Sequence, residues 1–252
     1  DIPPDDELPL LPANFEIPPY EPQIIRAIQQ NGIETYHPQS NTPLEWRQYI
    51  WAYYRMIEKV DALIGQIIDT LEKTGLREET IVIFTADHGD GCGSHRWNQK
   101  MTLYEEVINV PLIISGPTVV KRQCNSNLVS ASLDLYPTIL DFAEVTIPEN
   151  EGLSLKAWCE GNPPDSWRDY ICVESALNAE MGNDERAMKR NMGRACISDE
   201  WKYSVWKWGK NREQLVNLKK DPGEMVNCAV SNTCKDTLDL MRSRLYEWKV
   251  KT

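Results

Sequence analysis

The chain has 252 residues, of which 41% are apolar and 26% charged, so it is long enough to bury the core of one large or two small domains. Its formal net charge of −11 argues against non-specific binding to nucleic acid, and an anionic substrate would need a local cluster of positive side chains. No apolar run approaches the roughly 18 residues of a membrane-spanning helix, so no membrane span is predicted.

The chain begins at Asp1 without an initiator methionine or an apolar leader. We therefore expect a fragment or a processed product, whose targeting information lies outside this sequence. Seven cysteines are an odd number for a fully disulfide-bonded framework, and none has the paired CxxC spacing of a zinc site. Most are expected to be buried or reduced thiols. Cys228 and Cys234 are close enough in sequence to pair, and the sequence leaves that pairing open.

Residues 1–43 are predicted to form an extended lead-in, because residues 1–23 hold seven of the sixteen prolines. A long helix follows. Thr42-Pro43-Leu44-Glu45 has the outline of a capping box, with proline at the first helical position. Apolar residues then recur at the helical period as far as Leu71, and Gly75 marks the end of the helix.

Two runs rich in β-branched residues, at 80–85 and 110–115, are each typical of a strand covered on both faces. A further helix is predicted from about Asp134 to Ala143, with Pro137 in its first turn. The order helix, strand, loop, strand, helix predicts an α/β layer in which helices flank a largely buried sheet.

Beyond residue 148, short alternating segments predict a small antiparallel sheet. They lie at 170–174, 194–198, 201–206 and 214–218. The last segment predicts a helix that covers this sheet, because one of its faces is apolar. That face carries Leu238, Met241, Leu245 and Trp248. The polar stretch 181–194 is expected to be a loop.

The chemically informative stretch is 85–100, which follows the first predicted strand and contains two of the three histidines. Ligands of α/β sheets bind beyond the carboxyl ends of strands, where Asp87 and His88 emerge. His95 and Lys100 follow, and a divalent cation with fixed positive charges neutralises the oxyanion of an ester in a displacement at sulfur or phosphorus. The alternative is a glycine-rich turn with solvated polar side chains.

Several short sequence motifs occur one after another along about residues 44–230. They include Ile83-Phe84-Thr85-Ala86-Asp87-His88-Gly89, Gly93-x-His95 with Lys100, Leu103-Tyr104-Glu105, Val110-Pro111-Leu112-Ile113, Asp134-Leu135-Tyr136-Pro137, and Leu218-x-x-Asp221-Pro222-x-Glu224-x-x-Asn227. This ordered set resembles the sulfatase family of the alkaline phosphatase superfamily. The resemblance implies part of an alkaline-phosphatase-like α/β sheet flanked by helices, followed by a small C-terminal antiparallel sheet with a covering helix. Residues 44–147 would be the second half of the catalytic domain, and 148–252 a C-terminal α+β subdomain.

Carried over by position, the resemblance implies that Asp87 and His88 are two ligands of a divalent metal, usually calcium in sulfatases. A nitrogen ligand is unusual for calcium, which leaves manganese or another metal open. Lys100 matches the lysine that contacts the sulfate oxygens. His95 matches a frequent histidine of this loop, which either reaches the leaving group or orients Lys100. Arg96 is expected to be solvated.

The resemblance also implies parts that these residues lack. Sulfatases use a Cys or Ser in a Cys/Ser-x-Pro-x-Arg motif, modified to formylglycine, as the nucleophile, together with an Asp-Asp pair as further metal ligands. No Cys or Ser of this chain has that context. We expect these parts in a missing N-terminal portion of the same protein, and we predict that the chain alone is inactive.

The leading hypothesis is therefore a metal-dependent sulfuric ester hydrolase that acts on a sulfated carbohydrate or an aryl sulfate. The alternatives are a phosphodiesterase or phosphonate monoester hydrolase of the same superfamily, and a non-catalytic binding module that retains the fold. The resemblance implies a periplasmic or secreted location, for which these residues carry no signal of their own.

Overall fold

The computed structural model of the protein describes residues 2–31, 42–176 and 191–251. The chain divides into two compact units. The first comprises residues 1–55, 88–109 and 172–252, and the second comprises 56–87 and 110–171. Within the described ranges, no helix combines the length and the apolar character that crossing a membrane requires.

The α-helices are α1 Gln23–Asn31, α2 Pro43–Lys73, α3 Glu105–Ile108, α4 Ala131–Phe142, α5 Lys156–Cys159 and α6 Lys235–Lys251. The strands are β1 Val82–Thr85, β2 Leu112–Ser115, β3 Tyr170–Ala176, β4 Met192–Ser198, β5 Trp201–Trp206 and β6 Glu213–Asn217. Each predicted helix and strand is present, and the bounds differ by a few residues.

The N-terminal lead-in differs from its prediction. An extended chain was expected through residue 43, and this prediction is wrong over α1, whose Ile24, Ile25 and Ile28 are all buried. Leu8 and Phe15 are buried as well, so the lead-in supplies core side chains to the first unit. The apolar spacing of α1 is helical, but it covers barely two turns directly after a proline-rich segment, where the extended signal dominates.

Helix α2 confirms the longest predicted element. The backbone N–H of Thr42 donates to Glu45 Oε2 at 2.6 Å, and the Glu45 N–H donates to Thr42 Oγ1 at 3.3 Å, which completes the capping box. The Thr42 N–H and the Thr42 hydroxyl both donate to the Glu45 carboxylate and lower its pKa. Gly75 ends the helix with a φ of 73°, a left-handed conformation that glycine adopts without strain.

In the second unit, β1 and β2 pair antiparallel, with Phe84 directly opposite Ile113. The side chains of these two residues are 38% and 58% exposed. Both strands were predicted to be covered on both faces. The structure differs because Phe84 and Ile113 share one face of the two-stranded sheet, and that face is exposed in the part of the chain that the structure describes.

Helix α4 is fixed by a buried carboxylate. Asp134 is fully buried, and its two oxygens accept hydrogen bonds from both terminal nitrogens of Arg168, each at 2.7 Å. The same oxygens accept the backbone N–H groups of Ser130 and Leu153 at 2.8 Å. Such a bidentate pair, with its remaining lone pairs occupied, compensates for the removal of both charges from water.

The C-terminal sheet belongs to the first unit and has the strand order β3-β4-β5-β6. Strands β4, β5 and β6 pair antiparallel. Helix α6 packs on β4 and β5, and its apolar face buries Leu238, Met241 and Leu245. The prediction of a small antiparallel sheet with a covering helix is confirmed. Most of the predicted loop 181–194 lies outside the described residues.

Candidate active site

The candidate site is built on residues 89–100, here called the glycine loop. Its two arms are joined by backbone hydrogen bonds, from Gly91 N to Gln99 O at 3.0 Å and from Gly93 N to Trp97 O at 2.9 Å. A third bond, from Gly89 N to Val107 O at 2.7 Å, ties the start of the loop to α3. The two ends of the loop therefore lie side by side.

Two glycines are required by close approaches of the backbone. A Cβ atom at Gly89 would lie 2.0 Å from the carbonyl oxygen of Glu106, and one at Gly91 would lie 2.6 Å from that of Trp97. Neither carbonyl belongs to a flexible side chain that could turn away. Glycine at these positions is what allows the loop to fold against α3 and against itself.

The predicted site residues are placed as follows. His88 directly precedes the glycine loop and is half-buried, whereas Lys100 ends the loop and is exposed. The ladder between the arms ends at Gly91 and Gln99, so His88 lies three residues before it and Lys100 one residue after it. Asp87 is exposed, and it is the last residue of its segment of the second unit. His95 is not with them, because it lies at the turn of the loop.

His88 has the arrangement expected of a metal ligand. Its Nδ1 lies 2.8 Å from the carbonyl oxygen of Gly89. Because a carbonyl oxygen only accepts, Nδ1 must carry the proton, and Nε2 is then the unprotonated nitrogen. A backbone carbonyl that holds the other ring nitrogen is the usual support of a metal-bound histidine. The exposed carboxylate of Asp87 is a suitable oxygen ligand, so both residue types fit a divalent cation.

His95 is completely buried, and its ring stacks on Tyr104 with centroids 3.8 Å apart. Burial, helped by the positive charge of Lys202, lowers the pKa of His95 to about 3. The imidazole is therefore neutral at physiological pH. Its main chain is also held, because the N–H donates to Asn14 O at 2.7 Å and the carbonyl accepts from Gln29 Nε2 at 3.0 Å.

Side chains of the lead-in also hold the glycine loop in place. These side chains were not among the site residues predicted from the sequence. The amide nitrogen of Asn14 donates to Glu106 Oε1 at 2.7 Å and to Gly223 O at 3.1 Å, and it lies 3.3 Å from His95 Nε2. The hydroxyl of Tyr104 donates to Glu21 Oε1 at 3.0 Å. Burial raises the pKa of Glu21 to about 8.

Arg96 is more constrained than predicted. It forms a salt bridge of 2.8 Å with Glu16, and its guanidinium lies 5.0 Å from the centre of the Phe15 ring. The side chain is 35% exposed and its partner 69% exposed. The contact is therefore a surface link between the glycine loop and the lead-in.

A buried ionic cluster lies under α3. Lys202 Nζ is 2.6 Å from Glu224 Oε1 and 3.0 Å from Glu105 Oε1, and the backbone N–H of Glu105 donates to Glu224 Oε2 at 2.6 Å. Lys202 and Glu224 are almost completely buried. Burial pushes the pKa of Lys202 down, but attraction to the two carboxylates outweighs it and raises that pKa. The cluster ties the segment after the glycine loop to the C-terminal sheet.

A second group of possible metal ligands occurs among the described residues. Ligand atoms of His95, Glu106 and Glu224 lie within 4.8 Å of one another. However, both oxygens of Glu224 already accept hydrogen bonds, and Lys202 places a positive charge beside them. A cation here would be repelled by that ammonium, and Glu224 already serves as the ionic partner of Lys202.

Comparison with known proteins shows which family the chain is similar to. The sulfatase family model matches residues 16–145, and the model of the C-terminal part of N-sulphoglucosamine sulphohydrolase matches residues 93–251. Arylsulfatase K of Gallus gallus is 36% identical over 200 residues, which are 75% of this chain and 35% of that protein. A Δ4,5-hexuronate-2-O-sulfatase of Bacteroides thetaiotaomicron is 31% identical over 238 residues, which are 91% of this chain and 47% of that protein.

Solved structures share the fold. A 2-O GAG sulfatase has a TM-score of 0.82 and 27% identity, over 100% of this chain and 54% of that chain. Phosphonate monoester hydrolase of Agrobacterium radiobacter has a TM-score of 0.72 and 26% identity, over 83% of this chain and 43% of that chain. These matches confirm the predicted α/β fold with its C-terminal sheet.

The chain spans 35% and 47% of the length of the two relatives named above. The two family models together reach from residue 16 to residue 251, and the first of them covers about half of the chain. The family predicted from the ordered motifs is therefore confirmed, and the chain belongs to the sulfatase family of the alkaline phosphatase superfamily.

Proposed function

We propose that this chain carries part of the active site of a metal-dependent sulfuric ester hydrolase whose substrate is a sulfated carbohydrate. The observation that carries the proposal is the glycine loop, whose hydrogen-bonded ladder is flanked in sequence by His88 and Lys100. The relatives support the substrate class, because their names include a hexuronate-2-O-sulfatase and an N-acetylglucosamine-6-O-sulfatase.

In this proposal, Asp87 and His88 are two of the ligands of a divalent cation, calcium or manganese. When bound, the cation supplies Lewis-acid polarisation of the sulfate. The tautomer of His88 supports its part, because the Gly89 carbonyl leaves Nε2 as the nitrogen with a lone pair. The ammonium of Lys100 binds a sulfate oxygen and stabilises the negative charge that develops on the transferred group.

His95 has a positioning role in this proposal. A group that protonates a leaving alcohol must reach the substrate and must carry a proton at the working pH. His95 is fully buried and its pKa is about 3, so it suits neither requirement. Its contacts with Asn14, Gln29 and Tyr104 instead support a role in fixing the turn of the loop that ends at Lys100.

The nucleophile and the remaining metal ligands belong, in this proposal, to the additional length that the relatives have. The second unit supports this, because it exposes apolar side chains that a completed domain would cover. Four of them follow one another along α2 at 49% to 62% exposure, and they are Ile57, Val60, Leu63 and Ile67. Exposed apolar surface in such a row is typical of an interface.

The experiment compares turnover of an aryl sulfate and an aryl phosphate by the natural protein that contains these residues together with its additional length. We expect preference for the sulfate, and we expect Lys100→Ala to lower kcat/KM about 100-fold to 1,000-fold, the usual loss for one oxyanion donor. Lys210→Ala, another exposed lysine of the first unit, is the matched control and should retain activity. Unchanged turnover in Lys100→Ala would refute the assigned role.

The second candidate is a phosphonate or phosphate ester hydrolase. The structural match to phosphonate monoester hydrolase favours it over unrelated activities. The same assay separates the two candidates, because a preference for the phosphorus ester would reverse their order.

His95→Asn distinguishes the roles of that residue. A positioning role predicts a lower kcat with an unchanged pH profile, whereas a general acid would lose one limb of the profile.

A further inference from the structure

Four of the cysteines form two pairs away from the glycine loop. Cys172 on β3 and Cys196 on β4 lie on neighbouring strands, and Cys228 and Cys234 lie six positions apart in consecutive turns. All of these thiols are free. The proposed hydrolase activity uses neither pair, so their chemistry is a separate question.

The backbone brings Cys228 and Cys234 together. They lie in consecutive 3₁₀ turns, Cys228–Val230 and Asn232–Cys234. The Ser231 N–H donates to Cys228 O at 3.0 Å, and the Cys234 N–H donates to Ser231 O at 3.3 Å. These two bonds fold the chain back on itself and keep Cys228 and Cys234 within one short, hydrogen-bonded segment.

Each end of this turn is anchored in the first unit. Asn227, just before the turn, accepts the Leu215 N–H at 3.1 Å and donates to Glu213 O at 2.9 Å, so it is fixed to β6. Lys235, just after the turn, begins α6. A covalent bond across the turn would therefore join the end of β6 to the start of the helix that covers the sheet.

The two thiol pairs differ in access. Cys228 and Cys234 are both partly exposed, whereas Cys196 is completely buried. A small reagent can reach the first pair in the folded protein, but it can reach Cys196 only after β4 opens. The buried Cys196 thus provides an internal comparison within the same chain.

We propose that Cys228 and Cys234 form a reversible disulfide by exchange with a small-molecule disulfide such as oxidised glutathione. One cysteine thiolate attacks a glutathione sulfur, forms a mixed disulfide and releases one glutathione thiolate. The second cysteine thiolate then attacks the protein sulfur of that mixed disulfide and releases the other. Two protein thiols are oxidised, one glutathione disulfide is reduced to two thiols, and the two protons pass to the released thiolates or to water.

Whichever cysteine attacks first, Cys228 must act as a thiolate in one of the two exchange steps. Burial and the contact with the Cys234 thiol raise the pKa of Cys228 to about 11, and Asp221 adds to this while Lys220 opposes it. Only a small fraction of Cys228 is therefore ionised at neutral pH. Closure is slow at pH 7 and becomes faster as the pH rises toward 11.

The experiment equilibrates the reduced 252-residue chain in buffers of fixed ratio of reduced to oxidised glutathione, traps free thiols with iodoacetamide and digests with trypsin. Cys228 and Cys234 lie in one tryptic peptide, residues 221–235. Closure therefore yields a peptide that lacks both alkyl groups and two hydrogens. The same titration in urea measures the pair without the fold. We expect the fold to favour closure at least tenfold over urea, which corresponds to about 30 mV.

Further results also bear on the proposal. Cys228→Ser should leave Cys234 with bound glutathione. Iodoacetamide should alkylate Cys196 only after the protein unfolds. An equilibrium for closure that is equal in buffer and in urea would overturn the proposal, because the fold would then contribute nothing. Glutathione adducts on both cysteines without closure would overturn it as well. If Cys228→Ser unfolds, Cys234→Ala under the same titration provides the adduct measurement.

Discussion

The buried ammonium of Lys202 is expected to be the most sensitive point of the first unit. Lys202 lies between Glu224 at 2.6 Å and Glu105 at 3.0 Å, and both it and Glu224 are shielded from solvent. Lys202→Met retains much of the apolar stem but removes the charge. The variant leaves the Glu224 carboxylate buried without its ionic partner, and only the Glu105 N–H still donates to it.

The expected loss follows from that desolvated carboxylate. Removal of one partner from a buried ion pair costs about 3–5 kcal/mol, because the other charge stays buried. For a chain of this size, that loss corresponds to a fall in Tm of roughly 6–20 °C. The double variant Lys202→Met with Glu224→Gln should recover a large part of it, because the fully buried carboxylate is then neutral and the remaining Glu105 carboxylate is partly exposed to water.

The assay is thermal and urea unfolding of the 252-residue chain, followed by circular dichroism. The matched control is Lys219→Met, because Lys219 also pairs with a carboxylate, Asp199, but both side chains are more than half exposed. An exposed pair contributes about 0–1 kcal/mol, so this variant should unfold close to the parent chain.

The reasoning is refuted if Lys202→Met and Lys219→Met lower the stability equally. It is also refuted if the double variant is less stable than Lys202→Met alone. Either result would mean that the buried charges do not depend on each other, in conflict with the short distances between them.

Four further outcomes are expected. Glu21 has a folded pKa of about 8 against 4.5 as its ordinary value, so stability should fall as pH rises from 4.5 to 8, and Glu21→Gln should flatten that slope in urea titrations. Arg168→Met leaves Asp134 buried without its bidentate partner and should cost about 3–5 kcal/mol in thermal unfolding. Gly91→Ala places a Cβ atom against the Trp97 carbonyl and should lower the free energy of unfolding, measured in urea, by about 1–3 kcal/mol. Gly65→Ala meets no atom within 4 Å and should stabilise α2 by about 0.5–1 kcal/mol in the same assay.

The elements predicted best from sequence are those whose signals are local. The capping box at Thr42 and Glu45 lies within four residues, and the structure contains the hydrogen bonds that the pattern predicts. The alternating segments of the C-terminal sheet were likewise sufficient to predict β3 to β6. Helix α1 was missed because its helical pattern is short and directly follows a proline-rich segment, and its stability comes from tertiary burial of Ile24 and Ile28.

The same distinction between local and long-range signals applies to the residues of the candidate site. His88 and Lys100 were predicted because one contiguous stretch carries both, together with its glycines. Asn14 and Glu21 were not predicted, because their contacts with His95 and Tyr104 span about 80 positions of the chain. Lys202 gave no signal of burial, since lysine is among the residues least often buried and its partner Glu224 is far away in sequence.

These long-range contacts account for the arrangement of the glycine loop. A loop of glycines has high conformational entropy, and ordering it requires interactions that outweigh that entropy. The lead-in supplies them at His95 through Asn14 and Gln29, and the C-terminal sheet supplies them just beyond Lys100 through Lys202. Both supports lie outside residues 89–100. The order of the loop is therefore a property of the first unit, because residues outside the loop hold both its turn and the segment that follows it.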